Sequence, residues 1–69
     1  MKNGFSEILR NIRIEKGIGQ VELANSIGVS RGIISLWENN CREPKLSNLI
    51  ALAKYFNVSI DYLVGLSEY

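Results

Sequence analysis

The stretch Gln20-Val21-Glu22-Leu23-Ala24-Asn25-Ser26-Ile27-Gly28-Val29-Ser30-Arg31-Gly32-Ile33-Ile34-Ser35-Leu36-Trp37-Glu38-Asn39 decides how this chain folds. Its apolar residues fall at Leu23, Ile27, Val29, Ile34 and Trp37, with the small Ala24 between the first two. Intervals of three and four are the helical period. The spacing predicts a helix over about 20–27, a turn at Gly28 and Val29, and a second helix for which Ser30 is a good N-cap. Two helices that cross steeply over a short turn need a small side chain where their axes approach, and Ala24 stands there. The turn itself needs a positive φ, which glycine adopts without strain. The second helix is expected to end near Asn39 and Asn40, residue types that tolerate the left-handed conformation.

With Ile34 and Trp37 turned inward, a step of about 100° per residue places Gly32, Ser35, Leu36 and Asn39 on the outer side. Arg31 lies at the N-terminal tip and Ile33 flanks the core. A helix held in this way can enter the major groove of duplex DNA. Gly32 removes bulk at the closest approach, Ser35 can donate or accept, and Leu36 can meet a thymine methyl. Arg31 can pair with a guanine edge or a phosphate.

Outward from this unit the same period continues. Phe5, Ile8/Leu9 and Ile12 form a first helical stripe, with Ser6 or Asn3 as candidate caps and Gly17 as its stop. After the single proline, Pro44, a helix over 46–56 carries Leu46, Leu49, Leu52/Ala53 and Phe56 on one side. Asn57 closes it and Val58 packs in the turn. Ser59 then caps a last short helix through Val64, ended by Gly65, in which Ile60 and Leu63 join the core. Five short helices and no strand are expected, within one domain over residues 1–69.

The composition excludes several classes. Apolar residues make up 46% and charged residues 22% of the 69 residues, which is globular rather than disordered composition. No run approaches the roughly 20 apolar residues of a membrane span, and the amphipathic start does not resemble a secretory signal. With one cysteine, Cys41, and no histidine, neither an internal disulfide nor a Cys/His zinc site can form. The lone thiol is read as incidental to function. No acid pair in a recognisable motif and no phosphate-binding glycine loop points to an enzyme. Net charge is only +1, although residues 1–45 hold seven Lys/Arg against five Glu, and 46–69 one Lys against two acids.

Taken jointly, several motifs resemble the Cro/CI-type helix-turn-helix family, the Xre-like transcriptional regulators. They are Leu9-Arg10-Asn11-Ile12-Arg13, Gln20 with Glu22-Leu23-Ala24, Gly28-Val29-Ser30-Arg31, Ile34-Ser35-Leu36-Trp37-Glu38, Arg42-Glu43-Pro44, and Asn57-Val58-Ser59 with Asp61-Tyr62-Leu63. The likeness covers about residues 5–66. It implies an all-α, five-helix, lambda-repressor-like DNA-binding domain with its helix-turn-helix at about 20–39. It further implies a homodimer on double-stranded DNA, at an operator whose two related half-sites lie about 10 bp apart.

Roles carried over by the resemblance are specific. Gln20 would hold the DNA backbone and buttress the recognition helix, and Arg31, Gly32, Ser35 and Leu36 would face the bases, with Ser30 and Asn39 beside them in the DNA-binding set. Arg42 and Lys45 would lie along phosphates. Arg13 and Glu38 would form a structural pair. Independently of the resemblance, the apolar tail residues Val64, Leu66 and Tyr69, with Tyr62, are expected to serve both the packing of the last helix and a dimer interface. Ile33 and Leu36 stand where many members carry polar residues, so direct base hydrogen bonds are expected to be few and DNA shape to contribute more. A cytoplasmic repressor, bacterial or phage-encoded, is expected, without cofactor, metal or small-molecule ligand. An antitoxin, a restriction-modification controller, or an interaction module that has lost its DNA face are the alternatives. In 69 residues there is no room for a sensing domain, so regulation is expected through concentration, dimerisation, a partner or degradation.

Overall fold

A computed structural model describes residues 4–67. Five helices follow in order, and the described residues contain no strand: α1 (Phe5–Glu15), α2 (Gln20–Ile27), α3 (Arg31–Glu38), α4 (Leu46–Phe56) and α5 (Ile60–Leu63). Their limits follow from local chemistry. Gly17 and Gly28 take positive φ after α1 and α2, and Asn40 and Asn57 do so after α3 and α4. Asparagine, with its short polar side chain, is one of the few L-residues to visit this region readily. Ser30 Oγ accepts from Ile33 N at the start of α3, and Ser59 Oγ from Tyr62 N at the start of α5. Each satisfies a first-turn N–H that the helix itself leaves without a partner.

Every helix contributes to one core. Leu9 and Ile12 come from α1, Leu23 and Ala24 from α2, Ile34 and Trp37 from α3, Leu52 and Phe56 from α4, and Leu63 from α5. Ile27, Val29, Ile33 and Val58 pack against it from partly buried positions. Phe5 meets Trp37 edge to face at 6.1 Å between ring centroids, so the N-terminal turn of α1 closes over α3. No buried side chain in the core is polar or charged, which leaves apolar burial as its source of stability.

The structure corrects three local expectations. Ser6 does not cap α1; the N-cap is Gly4, which makes no side-chain bond, and Ser6 Oγ instead reaches Asn40 Oδ1 at 3.4 Å. Asn3 lies outside the described residues. Leu46 is not a core residue but is 67% exposed. It stands six residues before the buried Leu52, which turns it about 120° away round the helix. Finally, α5 ends at Leu63, with Val64 as its C-cap.

The turn between α2 and α3 rests on Gly28, at φ +79°. Its N–H and that of Val29 both reach the carbonyl of Ala24, at 2.9 and 3.0 Å, which seals the end of α2. A Cβ at Gly28 would meet nothing within 4 Å, so a substitution there feels backbone strain alone. Gly28→Ala is therefore expected to lose about 1–2 kcal/mol, and Gly28→Asn distinctly less. Thermal unfolding followed by circular dichroism checks this, and an alanine variant as stable as the parent would contradict it.

Candidate nucleic-acid interface

The orientation of α3 is set by what it buries. Ile34 and Trp37 are fully enclosed, and a core is close-packed enough to hold the helix in one rotation about its axis. Arg31, Gly32, Leu36 and Asn39 consequently face out, with Ser35 half-buried beside them and Ile33 turned towards the core. Leu36 keeps 39% of its surface exposed. Gly32 has no contact closer than Ser30 Oγ at 3.8 Å from an added Cβ, so the backbone of α3 is open to close approach there.

The end of the helix is tied back on itself. Asn39 Nδ2 donates to the Ser35 carbonyl at 2.9 Å and to Ser35 Oγ at 3.2 Å. Cys41 N donates to the Leu36 carbonyl at 2.8 Å, while Asn40 takes φ +58° and turns the chain towards α4. Arg42 and Lys45 stand exposed on the connection that follows. Cys41 is a free, exposed thiol whose Sγ lies 3.5 Å from the Asn39 carbonyl.

Two groups of backbone donors add to the side chains. The N-cap of α2 is Gly19 and that of α4 is Lys45, and neither makes a side-chain bond. Their first turns thus carry the positive end of the helix dipole with no capping acceptor from the N-cap side chain, a local chemistry that favours anions. The start of α4 was not singled out by side-chain motifs. Its signal is Lys45 in a position where Ser, Thr, Asp or Asn would usually stand.

Behind α3, Glu38 joins three parts of the chain. Its carboxylate accepts from Arg13 Nε at 2.6 Å and Nη2 at 3.0 Å, and from Gln20 Nε2 at 3.2 Å. Arg13 Nη1 also donates to the carbonyl of Ile18 at 2.8 Å, fastening the loop after α1. The pair is well shielded, with side chains 13% and 4% exposed for Arg13 and Glu38. Hydrogen bonding to Glu38 raises the Arg13 pKa, and the nearby negative charge adds to this against the opposing effect of burial. A bidentate fork of this kind fixes geometry as well as charge. Gln20, through its bond to Glu38, couples the first residue of α2 to the last of α3.

The residues expected at a subunit contact lie elsewhere, on and after α5, which packs against α1 and α4. Tyr62 and Val64 are half-buried, Leu66 is 74% exposed, and Tyr69 lies outside the described residues.

Comparison with known proteins gives this arrangement its class. A helix-turn-helix family model matches residues 9–63. The cryptic phage CTXphi transcriptional repressor RstR of Vibrio cholerae is 39% identical over 64 residues, covering 93% of this chain and 58% of the repressor. The transcriptional activator BcrR of Enterococcus faecalis is 38% identical over 64 residues, covering 93% of this chain but 31% of the activator. The chain thus spans 58% of the length of the first of these relatives and 31% of the second. Among solved structures, the P22 c2 repressor in complex with synthetic operator superposes with a TM-score of 0.86 at 38% identity, covering 91% of this chain and 96% of that one. This chain belongs to the helix-turn-helix family of the Cro/CI type.

Removing Arg13 leaves the shielded Glu38 carboxylate with Gln20 as its remaining hydrogen-bond donor. Arg13→Ala is expected to lose about 3 kcal/mol, the lower end for a buried pair deprived of one member. Such a loss lowers the midpoint of thermal unfolding by more than about 10 °C in a domain of this size. An unchanged melting curve would contradict the structural role.

Proposed function

We propose that this chain is a sequence-specific regulator of transcription that binds double-stranded DNA as a homodimer, with α3 in the major groove. The observation that carries the reading is the division of α3 into a buried side, Ile34 and Trp37, and an uncovered outer side, Arg31, Gly32, Ser35, Leu36 and Asn39. A major groove about 12 Å wide admits one helix so presented. Arg31 at the tip, Arg42 and Lys45 beyond the C-terminus, and the first turn of α4 supply positive character where phosphates would flank the groove. Gln20, held by Glu38, would lie on the backbone, and Ser30 would keep its role as the cap of α3.

Within this reading the five helices act as one DNA-binding unit. No helix among the described residues is long and apolar enough to cross a membrane. Tyr62, Val64, Leu66 and Tyr69 would form the contact between two subunits, the apolar character of this tail being the ground for placing it there. A two-fold pair would read two related half-sites about one turn of DNA apart. Repression is the favoured sense of regulation, on the likeness to RstR and the P22 c2 repressor.

Selection of bound sequences from a random duplex pool tests the whole reading. The expected result is two related half-sites centred about 10 bp apart; lone half-sites would remove the dimer, and a pool with no enriched sequence would remove DNA recognition. On the selected duplex, affinity should fall steeply with salt, and Arg42→Ala or Lys45→Ala should each reduce the slope of log K against log salt by about 1. Binding indifferent to ionic strength would count against phosphate contacts. Arg31→Ala is expected to lose about 1–3 kcal/mol of binding and relax preference at one base pair. An equal loss on every sequence would place Arg31 on a phosphate instead.

A further inference from the structure

The two short polar side chains on the outer face of α3 are joined, and the way they are joined fixes what each can offer. Asn39 Nδ2 lies 2.9 Å from the Ser35 carbonyl and 3.2 Å from Ser35 Oγ. A carbonyl oxygen only accepts, so it is the amide nitrogen of Asn39, not its oxygen, that faces Ser35. That nitrogen is engaged by Ser35 alone, and Asn39 Oδ1, which takes no hydrogen bond among the described residues, is left as an outward acceptor.

Ser35 is constrained in the complementary sense. Its Oγ accepts from Asn39, which keeps its own hydrogen pointing away from that amide. A helical serine commonly gives this hydrogen to the carbonyl four residues earlier. No such bond to Arg31 is formed, and no acceptor among the described residues takes it. Accepting one hydrogen bond also makes a hydroxyl a better donor. The pair thus offers a donor, Ser35 Oγ–H, beside an acceptor, Asn39 Oδ1.

We infer that Ser35 and Asn39 act together as one composite reader of adenine, a deepening that rests on the DNA-binding reading above. In the major groove adenine presents an acceptor, N7, next to a donor, the N6 amino group. Ser35 Oγ–H meets N7 and Asn39 Oδ1 meets the amino group. The pair reproduces across two residues the donor–acceptor fork that a single Asn or Gln amide uses on this base. Guanine offers two acceptors on the same edge and leaves Asn39 Oδ1 opposed by O6. Leu36, on the other flank of the face, takes no part in this bonding.

The experiment uses the duplex selected from the random pool, with single-base analogues at the position where adenine is enriched. 7-Deazaadenine, which lacks the N7 acceptor, is expected to weaken wild-type binding roughly 5- to 100-fold, to leave Ser35→Ala indifferent, and to weaken Ser35→Thr as it does the parent. Purine, which lacks the 6-amino group, should weaken binding of the wild type and of Ser35→Ala alike. Asn39→Asp can no longer donate to Ser35; the hydroxyl then donates to the carboxylate and both groups turn acceptors outward. Its preference at this base pair should move from adenine to cytosine, whose exposed group is a donor, over and above any uniform loss from the added negative charge. Enrichment without an adenine preference, equal sensitivity of wild type and Ser35→Ala to 7-deazaadenine, or an Asn39→Asp variant with weakened binding and unchanged preference would each overturn the inference while leaving DNA binding intact. A pool that enriches nothing would remove both.

Discussion

The enclosure of Ile34 and Trp37 is the constraint on which everything else in this domain depends. Both lie at essentially zero exposure in a core to which all five helices contribute. Since a close-packed core resists rotation of any one member, this burial fixes which side of α3 looks outward. Ala24 lets α2 approach closely enough to brace the helix, and Gly28 turns the chain between the two. Phe5 covers Trp37 from the start of α1. The outer side of α3 is therefore a consequence of the packing on its inner side.

The Arg13–Glu38–Gln20 network adds direction to that packing. Apolar contacts are tolerant of small slides, whereas a bidentate guanidinium–carboxylate pair is not. Glu38 ends α3, Gln20 begins α2, and Arg13 lies near the end of α1, so one carboxylate ties the termini of three helices. Arg13 also holds the loop before α2 through Ile18. Three helix starts without side-chain caps, at Gly4, Gly19 and Lys45, leave backbone donors on the same chain whose formal charge is only +1.

Most of the architecture could be read from residue spacing, because helical periods and their punctuation are local signals. The limits of α2 and α3, the buried Leu23, Ala24, Ile34 and Trp37, and the left-handed Gly17, Gly28 and Gly65 all follow from that reading. Leu46 did not, since an apolar residue in a first turn shares the period of the core stripe without sharing its direction. The cap of α1 was also missed: serine is favoured at that position in general, but the chain begins α1 at Phe5 and draws Ser6 towards Asn40. On the outer face, the identities of Arg31, Ser35 and Leu36 were apparent from the sequence. The bonding between Ser35 and Asn39 was not, because it depends on the orientation of an amide at the last turn of the helix.

The arrangement of α3 also bears on how such a domain can diversify. The residues that anchor it, Ile34, Trp37 and Glu38, alternate along the chain with those that face outward, Arg31, Gly32, Ser35, Leu36 and Asn39, yet no residue belongs to both sets. Exchange of the outward set leaves the buried Ile34 and Trp37 and the Glu38 network in place. On the DNA-binding reading proposed above, most of the stability of α3 and its target preference would fall to separate positions of the helix and its C-cap, and a lineage could change its target without first gathering stability in reserve.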